Sequence, residues 1–197
     1  MSALFRSLFA GALAWFAALS PALAQSTEAF EQNVFVFGGP LTSESFGHTF
    51  LFWRDHYEPN AFLGVGYQRF FYDYQGFGLG LEAGVGIRVG EAPSAEVWTG
   101  AVARFTRIEI GDFTVTPSLT AGFSLVSDTI GAETMRTARA GESAAFLFYL
   151  GPEIAVSSAA APQWEAFTRV QHRSGGYGTV AHIDGSNALT AGLRYKF

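Results

Sequence analysis

Three residues near the C-terminal end have the types and spacing of hydrolytic chemistry: His172, Ser174 and Asn187. A hydroxyl that attacks a carbonyl needs a base to take its proton, and imidazole is the commonest one. A third group must orient the imidazole. Asn187 can do so through its carboxamide oxygen, without charge, and Asp184 is the acidic alternative if the intervening loop folds back. Gly175 and Gly176 follow the serine directly. Their backbone N–H groups are candidates to face an oxyanion, because glycine permits close approach. This chemistry asks for no metal and no other cofactor. The chain has no cysteine, so a thiolate metal site and a disulfide framework are both excluded. His48, His56 and His182 are too scattered to make a metal site.

What must position these residues is a pair of strands. His172 and Ser174 are two apart, and residues i and i+2 of a strand share a face. From 164 to 174, Trp164, Ala166, Thr168, Val170, His172 and Ser174 form one face, and Glu165, Arg169, Gln171 and Arg173 lie on the other. The last eleven residues alternate again, with Asn187, Leu189, Ala191, Leu193, Tyr195 and Phe197 on the apolar side.

The same period of two recurs upstream. Phe77, Leu79, Leu81, Ala83, Val85 and Ile87 alternate with Gly78, Gly80, Glu82, Gly84, Gly86 and Arg88. No helical period explains that pattern. Segments 115–125 and 144–156 repeat it, and 96–106 gives a weaker version. The polar positions hold mostly Gly, Ser and Thr, with a few Glu and Arg and almost no Lys. A wet face of a soluble sandwich would carry more Lys and Glu. Small residues with occasional ion pairs suit the cramped lumen of an eight-stranded barrel. Glu82, Glu153, Arg104, Arg169 and Arg194 are expected to be lumenal ion pairs rather than catalytic groups.

Composition agrees. Phe, Tyr and Trp make up 16% and charged residues only 15%, against about 25% charged in ordinary soluble domains. The net charge of -5 argues against a nucleic-acid partner, which calls for a basic face. Residues 1–24 carry one cation, Arg6, a short apolar run and then Ala22 and Ala24. This is the pattern of a secretory signal peptide cleaved after Ala24. The expected fold class is therefore all-β: an eight-stranded antiparallel transmembrane β-barrel of the bacterial outer membrane, formed as a single domain by residues 25–197. Its terminal Tyr195-x-Phe197 is the kind of chain end that engages the barrel assembly machinery. The outer-membrane bilayer is a partner, and a homodimer is compatible with the sequence.

Strands are expected at 33–38, 61–71, 76–88, 95–107, 113–126, 144–156, 164–174 and 187–197, the first being the least defined. Residues 48–53 either belong to it or form a separate piece. The connections 72–75, 108–112 and 157–163 are short, 39–60, 127–143 and 175–186 are long, and 89–94 is intermediate. Long loops outside and both termini in the periplasm follow. That orientation puts His172, Ser174 and Asn187 on the lipid-facing wall near the outer rim. A polar cluster there is expensive unless satisfied, and is a functional candidate by default. Phe70, Phe71, Tyr72 and Tyr74 fall at the periplasmic girdle.

With the signal peptide, the barrel layout and the His172-x-Ser174 pair on the seventh strand, the chain resembles the outer-membrane lipid A 3-O-deacylases, the acyloxyacyl hydrolase type of barrel. The resemblance implies a site on the outer wall in which Ser174 attacks an ester of lipid A, within lipopolysaccharide, and His172 serves as base. It also implies a Glu about twelve residues after the serine, where this chain has Ser186 and Asn187. The family often has Asn directly after the serine, where this chain has Gly175. Two other readings stand beside this one: a non-enzymatic small barrel of the opacity, adhesion or envelope-integrity type, and a different lipid A-modifying enzyme on the same scaffold.

Overall fold

The computed structural model describes residues 32–51, 53, 54 and 56–197. The signal peptide and its cleavage site lie outside them. Among the described residues are nine strands: β1 Gln32–Thr42, β2 Tyr57–Tyr74, β3 Phe77–Val89, β4 Ser94–Arg104, β5 Ile108–Ile110, β6 Phe113–Val126, β7 Phe146–Ser158, β8 Ala161–Ser174 and β9 Asp184–Lys196. Two short helices, α1 Phe46–Thr49 and α2 Ala132–Ala140, sit in the long loops. Every neighbouring pair is antiparallel, β1 pairs with β9, and β4 pairs with β6. The sheet therefore closes into an eight-stranded barrel, with β5 a short ribbon on β6 at the end where the chain turns. Closure leaves no open edge, as a membrane-spanning sheet requires.

The wall alternates as the period of two demands. Leu79, Leu81, Val85 and Ile87 are exposed on the outside, while Gly78, Gly80, Glu82 and Arg88 are buried inside. Val34, Val36, Leu63, Val65, Ile154 and Leu193 continue the exposed apolar surface around the barrel. Trp164, Tyr195 and Phe197 pack together near the termini, with centroids 5.0 and 6.3 Å apart. They join Phe71, Tyr72 and Tyr74, all exposed, in an aromatic girdle. Among the described residues no helix is long and apolar enough to cross a membrane; the strands do the crossing.

The lumen is filled, not open. Phe35, Phe37, Phe62, Trp98, Tyr149 and Phe167 form an aromatic layer inside it. Gly84 faces the Trp98 ring so closely that a Cβ there would lie 2.1 Å from it. Around this layer run ion pairs: Arg169 with Glu82 and Glu153 at 2.7 Å, and Arg194 with Glu153 at 2.8 Å and Glu165 at 2.9 Å. Those pairings are the lumenal ones the sequence suggests. A second set was not foreseen. Glu133 of α2 reaches back into the outer mouth and pairs with Arg88 at 2.7 Å and with Arg173 at 2.5 Å. The second long loop thus plugs the barrel.

Several expected limits need correction. β1 runs on to Thr42 rather than stopping at 38, and β2 begins at Tyr57 rather than 61. Of segment 48–53, the described residues form the separate piece: His48 and Thr49 end α1, and the others lie in the first long loop. The fourth wall strand ends at Arg104 instead of 107, and the expected turn 108–112 contains β5.

Candidate active site

The site sits where β7, β8 and β9 reach the outer rim. In β8, His172 pairs with Leu150 of β7 and with Asn187 of β9. Ser174 pairs with Phe148 of β7 and, after a bulge, with Asp184 of β9. Residues directly opposite one another in an antiparallel pair share a face. Phe148, Leu150, His172, Ser174 and Asn187 are therefore all on the outer wall, while Gln171 and Arg173 between them point into the lumen. The bulge at Gly185 re-aims the rim of β9, as bulges do at barrel edges.

His172 is not open to lipid. It is only 7% exposed, because the first long loop folds over it. The Phe46 ring lies against the imidazole, with centroids 4.3 Å apart and planes inclined by 33°. Asn187 is fully buried under the same loop. Its Nδ2 donates to the Glu44 carbonyl oxygen at 2.8 Å, and its Oδ1 lies 2.6 Å from His172 Nδ1.

These two contacts fix the proton on the ring. A backbone carbonyl can only accept, so the amide nitrogen of Asn187 must face Glu44 and its oxygen must face the imidazole. His172 Nδ1 therefore carries the hydrogen, and the lone pair is on Nε2. That is the tautomer a general base needs. Nε2 has no hydrogen-bond partner among the described residues, and neither does the Ser174 hydroxyl.

The loop is itself held. Arg136 of α2 donates through one nitrogen to the Gly185 carbonyl at 2.7 Å, and through another to the Ser43 carbonyl at 2.7 Å and the Glu44 carbonyl at 3.4 Å. The Glu44 carboxylate bridges His56 at 2.5 Å and His48 at 3.4 Å. The hydrogen bond from His56 holds that carboxyl below its ordinary range.

The other expected members fare differently. Asp184 stands opposite Ser174 but is exposed and makes no hydrogen bond to His172; Asn187 already occupies Nδ1. Gly175 is not a free oxyanion donor, since its N–H is taken by the Ile183 carbonyl at 2.9 Å. The N–H of Gly176 has no partner among the described residues. Its positive φ of 62° suits glycine, and a Cβ there would lie 2.5 Å from the Phe148 ring. No group of three or more His, Cys, Asp or Glu among the described residues could hold a metal ion. Phe46, Glu44 and Arg136 were missed as site residues. The apolar piece inside a long loop was the one visible hint of a cover.

No protein-family model matches the chain, and no curated protein sequence matches it. Solved structures do. The chain superposes on the outer membrane enzyme PagL with a TM-score of 0.54 at 13% identity, covering 83% of this chain and 98% of that one. It superposes on Neisserial surface protein A with a TM-score of 0.51 at 13% identity, covering 88% and 100%. A structure from the de novo design of transmembrane β-barrels gives the same score, identity and coverage. The protein has the fold of small outer-membrane barrels. With its continuous apolar outer belt, it is a protein of the bacterial outer membrane. The fold alone does not choose between an enzyme and a surface protein, so function has to be argued from the site.

Proposed function

We propose that the protein is an ester hydrolase of the outer-membrane lipid A deacylase type, removing an ester-linked hydroxyacyl chain from lipopolysaccharide. The observation that carries this reading is the His172–Asn187 hydrogen bond, which leaves Nε2 unprotonated on the face that also carries Ser174. In the reaction Ser174 Oγ attacks the ester carbonyl while His172 Nε2 takes its proton. The C–O bond to the sugar then breaks, and the leaving oxygen collects the proton from the imidazolium. Water repeats the sequence on the acyl-serine, releasing a hydroxy fatty acid. The Gly176 N–H is the remaining candidate donor for the oxyanion. Asn187 contributes orientation without charge. Structural similarity to PagL supports the reading at the level of fold.

The test is mass spectrometry of lipid A from cells that express the protein, cells that lack it and cells that express Ser174→Ala. Loss of one hydroxyacyl chain, only where Ser174 is intact, is the expected result. Lipid A identical in all three would sink the proposal.

One observation favours the second reading, a non-enzymatic barrel: the Ser174 hydroxyl makes no hydrogen bond to the imidazole, and Phe46 roofs the ring. Catalytic hydrogen bonds often tighten only when substrate is present, so this geometry leaves the esterase reading standing. A lipid A modification other than the loss of an acyl chain would point to the third reading.

A further inference from the structure

The catalytic reading needs His172 in one tautomer, and the residues that impose it extend beyond Asn187. A carboxamide can turn over and exchange its oxygen and nitrogen. Turned over, Asn187 would offer an N–H to His172 Nδ1, move the ring proton to Nε2 and abolish the base. What prevents this is the Glu44 carbonyl, 2.8 Å from Asn187 Nδ2. That carbonyl belongs to an exposed loop, so it must be fixed in turn. The guanidinium of Arg136 fixes it, grasping the Ser43 and Glu44 carbonyls on one side and the Gly185 carbonyl, two residues before Asn187, on the other. Arg136 thus ties the loop that supplies the acceptor to the strand that supplies the amide. A planar, forked donor can span two such groups, and a lysine ammonium cannot do so equally.

We propose that Arg136 is a positioning residue which, through the Glu44 peptide and the Asn187 carboxamide, holds His172 as its Nδ1–H tautomer. The functional weight of this relay rests on the reading of His172 as a general base; the relay itself is a property of the folded barrel. The first and second long loops are then parts of the site rather than covers over it. The wall alone would present an imidazole free to take either tautomer.

The experiment is nitrogen NMR of the folded full-length barrel carrying ¹⁵N-labelled histidine, at a pH where the rings are neutral. The His172 signals are assigned by their loss in His172→Gln. Wild type should show protonated Nδ1 and unprotonated Nε2. Arg136→Ala should give a mixture of tautomers, and Arg136→Lys should recover part of the wild-type pattern. Asn187→Ala, with Arg136 intact, should lose it. Ester hydrolysis by Arg136→Ala should fall by up to about 10²-fold, the scale of a misplaced catalytic group, in kcat rather than KM. A wild-type ring protonated at Nε2 would overturn the proposal. So would a ring in Arg136→Ala, or in Arg136→Met if the first fails to fold, that keeps Nδ1–H as fully as wild type. A tautomer that follows Arg136 in a protein that cleaves no lipid A would uphold the relay and remove only the deacylase reading.

Discussion

Glu82 and Asn187 are both buried side chains that accept a hydrogen bond from a nitrogen of β8, one inside the wall and one outside it. Inside, Arg169 gives Glu82 two contacts at 2.7 and 2.9 Å, and Gln68, Trp98 and Thr120 add donors at 2.6, 2.8 and 2.9 Å. A buried carboxylate is tolerable only with that many donors and a paired cation. Outside, His172 gives Asn187 one contact, and the next neighbour is the Glu44 carbonyl, which is an acceptor. A carboxylate there would face an oxygen with nothing to donate. The two regions therefore use different chemistry to bury polar groups. The lumen compensates charge with charge; at the rim the partner of His172 is neutral, a residue that accepts on one side and donates on the other. Asn at 187 follows from the loop above it.

The contrast can be broken from either side. The largest effect expected is at the rim and is purely functional. Ser174→Ala and His172→Ala should each lower ester hydrolysis by about 10⁴-fold or more, as loss of a nucleophile or its base does. Neither side chain packs the lumen, so both variants should keep the heat-modifiable mobility of a folded barrel on gels. Inside the wall the outcome reverses. Arg169→Ala leaves Glu82 and Glu153 without the cation they share, and removal of one partner of a buried pair costs about 3–5 kcal/mol. Urea unfolding from lipid vesicles should show that loss while Ser174 and His172 stay in place. If Arg169→Ala were as stable as wild type, the lumenal network would be ornamental and the contrast would fail.

How much of this was readable beforehand depends on whether the two faces of a strand differ. In β3, leucine and valine alternate with glycine and Glu82, so facing and register follow at once. In β1 they do not: Val34 and Val36 face lipid while Phe35 and Phe37 fill the lumen, and an all-apolar stretch carries no period. That is why its end was misplaced. The outward facing of His172, Ser174 and Asn187 was legible, because a strand period carries across a sheet. The cover over them was not. Phe46 and Glu44 lie in one loop and Arg136 in another about ninety residues on, and no local pattern announces that a backbone carbonyl will meet an amide. Glu133 was hidden for the same reason, since its partners Arg88 and Arg173 are distant in sequence. Gly175 looked like an oxyanion donor only while the fold of its own loop was unknown.

At Asn187 itself the effects are smaller and test the logic of the rim. Asn187→Ala removes the orienting group and frees the tautomer, which should slow hydrolysis by about 10–10²-fold without changing the mobility of the barrel. The resemblance to deacylases would make Asn187→Glu a repair. In this chain the longer carboxylate would press against the Glu44 carbonyl, lift the loop and expose His172, so activity should remain at or below that of Asn187→Ala. Activity above wild type would show that the loop yields and that the neutral rim is no requirement. A paired substitution would then be unnecessary to recreate an acidic third residue.

The smallest effect belongs to a third region, the exposed loop tips, where charge is neither buried nor excluded. Glu142 accepts the His182 backbone N–H at 2.6 Å and its ring at 3.1 Å, and so joins the second and third long loops. The backbone hydrogen bond, more than the ring, holds its carboxyl below the ordinary value of 4.5. A lowered carboxyl stabilises the tie above that value, and the tie is lost as pH falls through the lowered one. An exposed contact of this kind contributes little to the whole fold, so the change should be local. Hydrogen exchange of the His182 amide, normalised to its intrinsic rate, should stay slow from neutral pH to the ordinary carboxylate range and quicken below it. Glu142→Gln keeps an acceptor without the ionisation, and should remove the pH step. Protection that persists in acid, or a step that survives Glu142→Gln, would mean that the tips are held by packing, and that charge matters in this barrel only inside the wall.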